Sequence, residues 1–168
     1  TSGVTFNYVP MDGGNNVSAS LYGMHVTPSF QSSNFTPELQ AEGLKSPNKL
    51  KDLTDVNLSG GGPIIKSKLW TYLSGRHQVN QTYTAGLWYN LNAGDPTKWT
   101  YAADMNNQEA FHITQNSIGA RLTGQATPKN KFSFYADDQS RNWDDGRAGV
   151  STESVVAYRF PKLRLIEG

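Results

Sequence analysis

Hydrophobic and polar residues alternate with period two along several short stretches of this chain. In residues 17–24, Val17, Ala19, Leu21 and Gly23 fall on one side, and Ser18, Ser20, Tyr22 and Met24 on the other. Such alternation marks a half-covered β-strand, whose successive side chains point to opposite faces. Residues 55–61 repeat it, with Val56, Leu58 and Gly60 opposite Asp55, Asn57 and Ser59. From residue 69 to 76, Leu69, Thr71, Leu73 and Gly75 oppose Trp70, Tyr72, Ser74 and Arg76. The cleanest case is 117–126, where Ile118, Ala120, Leu122, Gly124 and Ala126 oppose Ser117, Gly119, Arg121, Thr123 and Gln125. Residues 132–139 follow, with Phe132, Phe134 and Ala136 against Ser133, Tyr135, Asp137 and Gln139. Further strands are predicted at 4–9 and at 154–160, the latter ended by Pro161, and 83–91 alternates as an extension of the sheet.

The connections alternate in length. Short turns are predicted at 62–68, opened by Gly62-Pro63, and at Thr127-Pro128-Lys129-Asn130. Long polar segments at about 27–54, 77–114 and 140–152 read as loops. Within the first, Thr36 and Pro37 have the chemistry of a helix N-cap and first helical residue, and Gly43 that of a helix stop. Strands joined alternately by short and long connections suit a chain that crosses a membrane as a β-barrel. The predicted fold class is therefore all-β, an antiparallel transmembrane β-barrel present in part, with five or six strands.

Arg76 sets the wet side, because an arginine facing lipid near the midplane costs about 2–4 kcal/mol. Arg76, Arg121, Tyr135 and Asp137 then face a watery interior or a plug within it, while Ile118, Leu122, Phe132 and Phe134 touch lipid. Two other architectures share the pattern. One is a secreted or soluble β-sheet module that binds protein or carbohydrate through its long loops. The other is a complete eight-stranded barrel that uses 83–91 and 101–113 as additional strands.

Composition narrows the classes. The chain has 168 residues, a net charge of +1, 36% hydrophobic residues and no cysteine. Zero cysteine excludes disulfides and thiolate metal sites. No apolar run approaches the roughly 20 residues of a membrane helix, which leaves strands as the way across. The near-neutral charge gives no case for nucleic acid. No leader-like segment opens the sequence, so the chain is expected to be processed or to be a piece of something longer.

Four segments resemble, in order, a TonB-dependent outer-membrane receptor of the Oar-like branch. FNYVPMDGGNNVSASLYG (6–23) resembles the end of that family's plug leading into the first barrel strand. SSNFTPELQAEGLKSPNKLKDLTDVN (32–57) resembles its first outer loop, GGPIIKSKLWTYLSGR (61–76) its next hairpin, and RLTGQATPKNKFSFYADDQ (121–139) the hairpin after that. The resemblance implies that residues 1–15 end a plug and that 16–168 open a barrel of about 22 strands. It implies a bacterial outer-membrane transporter of a bulky nutrient such as a siderophore, peptide or glycan, with no bond chemistry and no cofactor. The implied partners are the remainder of the receptor or a neighbouring chain on the open sheet edges, an energy-coupling inner-membrane protein and outer-membrane lipid.

Other chemistry is weakly signalled. GGGPIIKS at 60–67 lacks the Gly directly before Lys and the following helix of a phosphate loop. His25, His77 and His112 are far apart and read as structural or surface residues. Asp137-Asp138 and Asp144-Asp145 could hold Ca²⁺ between them, although solvated loop carboxylates are the simpler reading. Glu153 and Asp138 as a glycosidase pair lack any indicated cleft. Lys66, Lys68, Lys129 and Lys131 flank the short turns, where they solubilise the turn or meet lipid head groups.

Overall fold

The computed structural model describes residues 11–44, 46–144 and 151–168. They build one antiparallel sheet of six strands in chain order. The strands are β1 (Ser18–Val26), β2 (Lys49–Ile65), β3 (Leu69–Asn90), β4 (Ala103–Thr127), β5 (Asn130–Asp144) and β6 (Ala157–Glu167). Each pairs only with its neighbours in sequence, so β1 and β6 are the margins of an open sheet. The strand expected at 4–9 lies outside the described residues.

Both short turns sit at one end. Residues 66–68 join β2 to β3, with Ser67 at φ 60° and Lys68 N–H donating to the Ile65 carbonyl at 3.1 Å. Residues 128–129 join β4 to β5, and Thr127 Oγ1 accepts from the backbone of Asn130 at 3.2 Å. The longer connections leave β1 at Val26, β3 at Asn90 and β5 at Asp144, all at the far end. In the first of them, α1 (Pro37–Ala41) starts as expected, with Leu39 N–H donating to the Thr36 side chain, and Gly43 follows it at φ +101°.

The strands run well past their expected limits. Residues 49–54, 77–82, 103–114 and 140–144, expected as loop, are strand, and 83–90 extends the sheet as its alternation predicts. The stretches 83–91 and 101–113 are mostly the upper parts of β3 and β4, so an eight-stranded barrel with two additional strands is not what forms. The turn of the first hairpin is Lys-Ser-Lys rather than Gly-Pro, because β2 continues through Gly62 and Pro63 to Ile65 with a register shift at Pro63. A bulge is one of the few places where a strand tolerates a proline. Pro161 does not end β6, which continues to Glu167. The edge position explains this, since a proline there need not break a ladder on both sides.

The register keeps the two faces distinct from β1 to β4 and along most of β5, while β6 places Arg164 on the apolar side and Leu165 on the polar side. One row runs Ala19, Gly60, Leu73, Ala120, Ala136, Ile166, and the next Leu21, Leu58, Gly75, Ile118, Asp138, Arg164. On the opposite face, rows run Ser18, Gly61, Tyr72, Arg121, Tyr135, Glu167, then Ser20, Ser59, Ser74, Gly119, Asp137, Leu165. Burial is inverted relative to a water-soluble domain. Leu58 and Ile118 are 58% and 67% exposed, whereas Thr123 and Tyr135 on the polar face are 1% and 7% exposed. Tyr135 is the one large hydrophobic side chain buried among the described residues. No second layer covers the apolar face in those residues.

Candidate functional site

The polar face encloses a hollow of about 380 Å³ spanning β2 to β5. Arg76, Arg121, Tyr135 and Asp137 all line it, as the alternation predicts. Its floor is small, because Ser59, Ser74 and Gly119 occupy one cross-strand row. The charged and aromatic groups therefore stand around a shallow base.

Each of the four has a defined setting. Arg76 makes a two-pronged bond to Asp55, Nε to Oδ1 at 2.9 Å and Nη2 to Oδ2 at 2.6 Å. The planar guanidinium matches a carboxylate in this geometry, and such charge-assisted pairs are the stronger hydrogen bonds. Tyr135 Oη donates to Asp137 Oδ2 at 2.8 Å, while Asp137 Oδ1 is shielded from solvent and accepts no hydrogen bond. Arg121 Nε lies 2.6 Å from Asp12 Oδ1, an ion contact that links β4 to the segment before β1.

That segment is a strap. Residues 11–15 cross the hollow face at the short-turn end and touch three strands. Met11 Sδ accepts from Tyr72 Oη on β3 at 3.4 Å. Asp12 accepts from Thr123 on β4 at 2.8 Å and from Lys131 Nζ on β5 at 3.2 Å. Asn15 Oδ1 accepts from Trp70 Nε1 and from the Ser67 N–H, both at 2.8 Å. Between these anchors the backbone passes so close that a Cβ on Gly13 would stand 2.3 Å from the Thr71 carbonyl oxygen. Only glycine fits there without displacing the strap. Burial pushes the Asp12 carboxyl up, but the hydrogen bonds from Thr123 and Lys131 and the charges of Arg121 and Lys131 outweigh it, and the group is held below its ordinary range.

A second polar cluster stands at the far end, where Tyr89, Glu109, His112 and Asp144 line a hollow of about 200 Å³. His112 Nδ1 lies 3.5 Å from Asp144 Oδ2, and Arg159 Nη1 donates to Asp144 Oδ1 at 2.6 Å. The Tyr89 hydroxyl is pushed up to about 12, first by its hydrogen bond to Glu109, then by burial and the charges of Glu109, Asp144 and Glu153. Nearby, Trp143 packs edge-on to Phe111 and beside Tyr158.

The remaining chemical candidates separate. Asp137 and Asp138 point to opposite faces, and Asp138 accepts from Arg164 at 2.6 Å. Asp137 and Asp144 lie seven residues apart on one strand, about 23 Å at strand rise. Asp145 lies outside the described residues. No three metal-binding side chains converge among the described residues. Glu153 accepts from the Asn90 backbone, away from Asp138. Gly60–Gly62 lie inside β2 with no helix after them, so they form no phosphate cradle.

Sequence reasoning missed Asp12, Asn15 and Asp55 as partners of the polar face. Asp55 was legible in part, being on the Arg76 face of the adjoining strand and one diagonal step away. Asp12 carried no such signal, because it lies in PMDGGN (10–15), where the paired glycines have the chemistry of a turn and no strand period places a side chain. No family model, curated protein or solved structure matches this chain.

Proposed function

We propose that this sheet is a segment of the wall of a β-barrel in the bacterial outer membrane, and that the barrel belongs to a TonB-dependent transporter of a bulky nutrient. The single observation that carries this reading is the inverted distribution of polarity. A continuous apolar surface faces outward with nothing upon it, and the polar surface is the one that closes over buried groups. Exposed apolar areas of this kind mark contact with lipid or protein.

The dimensions support lipid. From the short turns upward, apolar rows extend along β3 from Leu69 to Gly75, about 20 Å of strand, before His77 and Asn116 begin a polar row. At the roughly 40° tilt of barrel strands this covers about 15 Å, the greater part of a barrel's apolar band of about 25 Å. Asp138 and Arg164 pair on the topmost apolar row, next to that polar boundary, where charge costs about 0–1 kcal/mol. The free margins of β1 and β6 then require continuation by the rest of a receptor or by a neighbour, since unpaired N–H and C=O groups are not tolerated in hydrocarbon. In this reading the strap is the joint to a plug. An inner-membrane protein supplies the energy through the plug.

The chain has no cysteine, so single cysteines report cleanly. An environment-sensitive fluorophore at 118, 122 and 134 should emit as in hydrocarbon in lipid vesicles, and at 57, 59 and 117 as in water. Water-like emission at all six positions in the folded protein would overturn the membrane reading and favour a secreted β-sheet module.

A further inference from the structure

We infer that the tip of the β3–β4 hairpin is a binding site for a neutral saccharide, with the Trp99 ring as the platform on which one sugar ring stacks. The site stands on its own geometry, and only its extension, that the transported nutrient is a neutral glycan, rests on the preceding reading. Trp99 is 93% exposed, yet the loop that carries it is closely built. Leu91 N–H donates to the Ala102 carbonyl at 2.8 Å, and Asn90 Oδ1 accepts from the N–H groups of Asn92 and Ala102 at 3.1 and 2.9 Å. Asn92 Nδ2 donates to the Thr100 carbonyl at 2.7 Å, one residue from the ring. Asp95 Oδ1 accepts from the N–H and the hydroxyl of Thr97 at 3.0 and 2.6 Å, and Lys98 Nζ lies 3.4 Å from Asp95 Oδ2. These bonds hold the residues on either side of Trp99, while the packing of the sheet makes almost no use of its side chain. A large aromatic surface on a fixed loop gives up little entropy when a ligand covers it.

The surroundings of the ring select the occupant. Lipid lies out of reach, because the tip stands about 40 Å of strand beyond His77, where the polar zone begins. A charged ligand meets no net charge, since Asp95 and Lys98 are the charged residues of 91–102 and neutralise each other. A protein partner shuts water away from an anchoring ring with an apolar surround. Here Thr97, Lys98 and Thr100 beside the ring are polar and exposed. The apolar Leu91 and Tyr101 belong to the stem of the tip, where Tyr101 Oη donates to the Trp88 carbonyl at 3.1 Å. One bare ring within a polar rim matches a pyranose. The axial C–H groups of the sugar turn their partial positive charge toward the electron-rich face of the indole. Its hydroxyls lie at the edge, where they keep water or donate to Thr97 Oγ1.

The test is saturation-transfer NMR on the folded protein with cellohexaose, whose β-linked glucose rings present axial C–H groups on both faces, and with mannitol, which has hydroxyls and no ring. Cellohexaose should bind and mannitol should not. Trp99→Ala should weaken cellohexaose binding about tenfold, and Trp99→Phe, which keeps a smaller ring, about threefold. Both variants should fold as the parent does, because almost none of the ring is buried. Absence of cellohexaose binding, or equal binding by the parent and Trp99→Ala, overturns the inference. Self-association in sedimentation that Trp99→Ala abolishes also overturns it, and assigns the ring to a second copy of this chain. The label measurements at 118, 122 and 134 read the apolar face and not the tip, so either reading can fail without the other.

Discussion

The lower and upper halves of the β3–β4 hairpin share one ladder and differ in everything else. In the lower half, residues 69–76 against 117–124, one face carries Leu73, Ala120 and Leu122 and the other Tyr72, Ser74 and Arg121. In the upper half, Gln78, Asn80, Gln81 and Thr82 meet Gln115, Ile113, His112 and Phe111, and polar side chains occupy both faces. The ladder runs without a register shift from Leu69 to Tyr83 and so through both of these stretches. The pleat thus imposes no polarity of its own. Alternation appears where two different environments lie against the two faces and fades where a single one surrounds the strand.

The sharpest way to break this comparison is to place one charge in each half. Leu122→Arg should cost about 2–4 kcal/mol in urea titrations of protein folded into lipid vesicles. Thr114→Arg, on the same face farther up, should cost less than about 0.5 kcal/mol. Equal effects would mean that the two halves share one solvent. Next in size, Asp55→Ala should destabilise by about 2–3 kcal/mol by leaving the Arg76 guanidinium without its carboxylate. The double variant Asp55→Ala/Arg76→Ala should recover part of that loss in a double-mutant cycle.

Gly13→Ala tests the strap rather than the sheet. Its new Cβ meets the Thr71 carbonyl, so the strap should lift at a cost of about 1–2 kcal/mol, with faster proteolysis at residues 11–15 and unchanged protection in β4. The smallest effect is acid release. Asp12 has a folded value below its unfolded one, so its contribution is fully present above the ordinary aspartate range and is lost as pH falls through the depressed value. Proteolysis of the strap should therefore rise only at strongly acid pH. Release beginning near neutrality would show that Asp12 does not hold it.

The same difference explains what the sequence revealed. Strand faces around Leu73, Ile118 and Phe134 were legible because each apolar residue sits between polar ones at the spacing of the pleat. Residues 77–82 and 103–114 were read as loop because Asn, Gln and Thr on both sides erase the period, although both lie in strands of the sheet. Pro161 misled because a rule for interior strands was applied to an edge. All four residues expected on the polar side line the hollow, since a single parity fixes them together. The ion contact of Arg121 with Asp12 spans more than a hundred residues of sequence, and nothing in a local pattern brings such groups together.

Because every strand lies beside its successor, the ribbon can be laid down in the order of synthesis. Each tight hairpin brings its own pair of strands together, and no step waits for the two ends of the polypeptide to find each other. A wall built this way can be lengthened strand by strand, with the most recent margin serving as the template for the next.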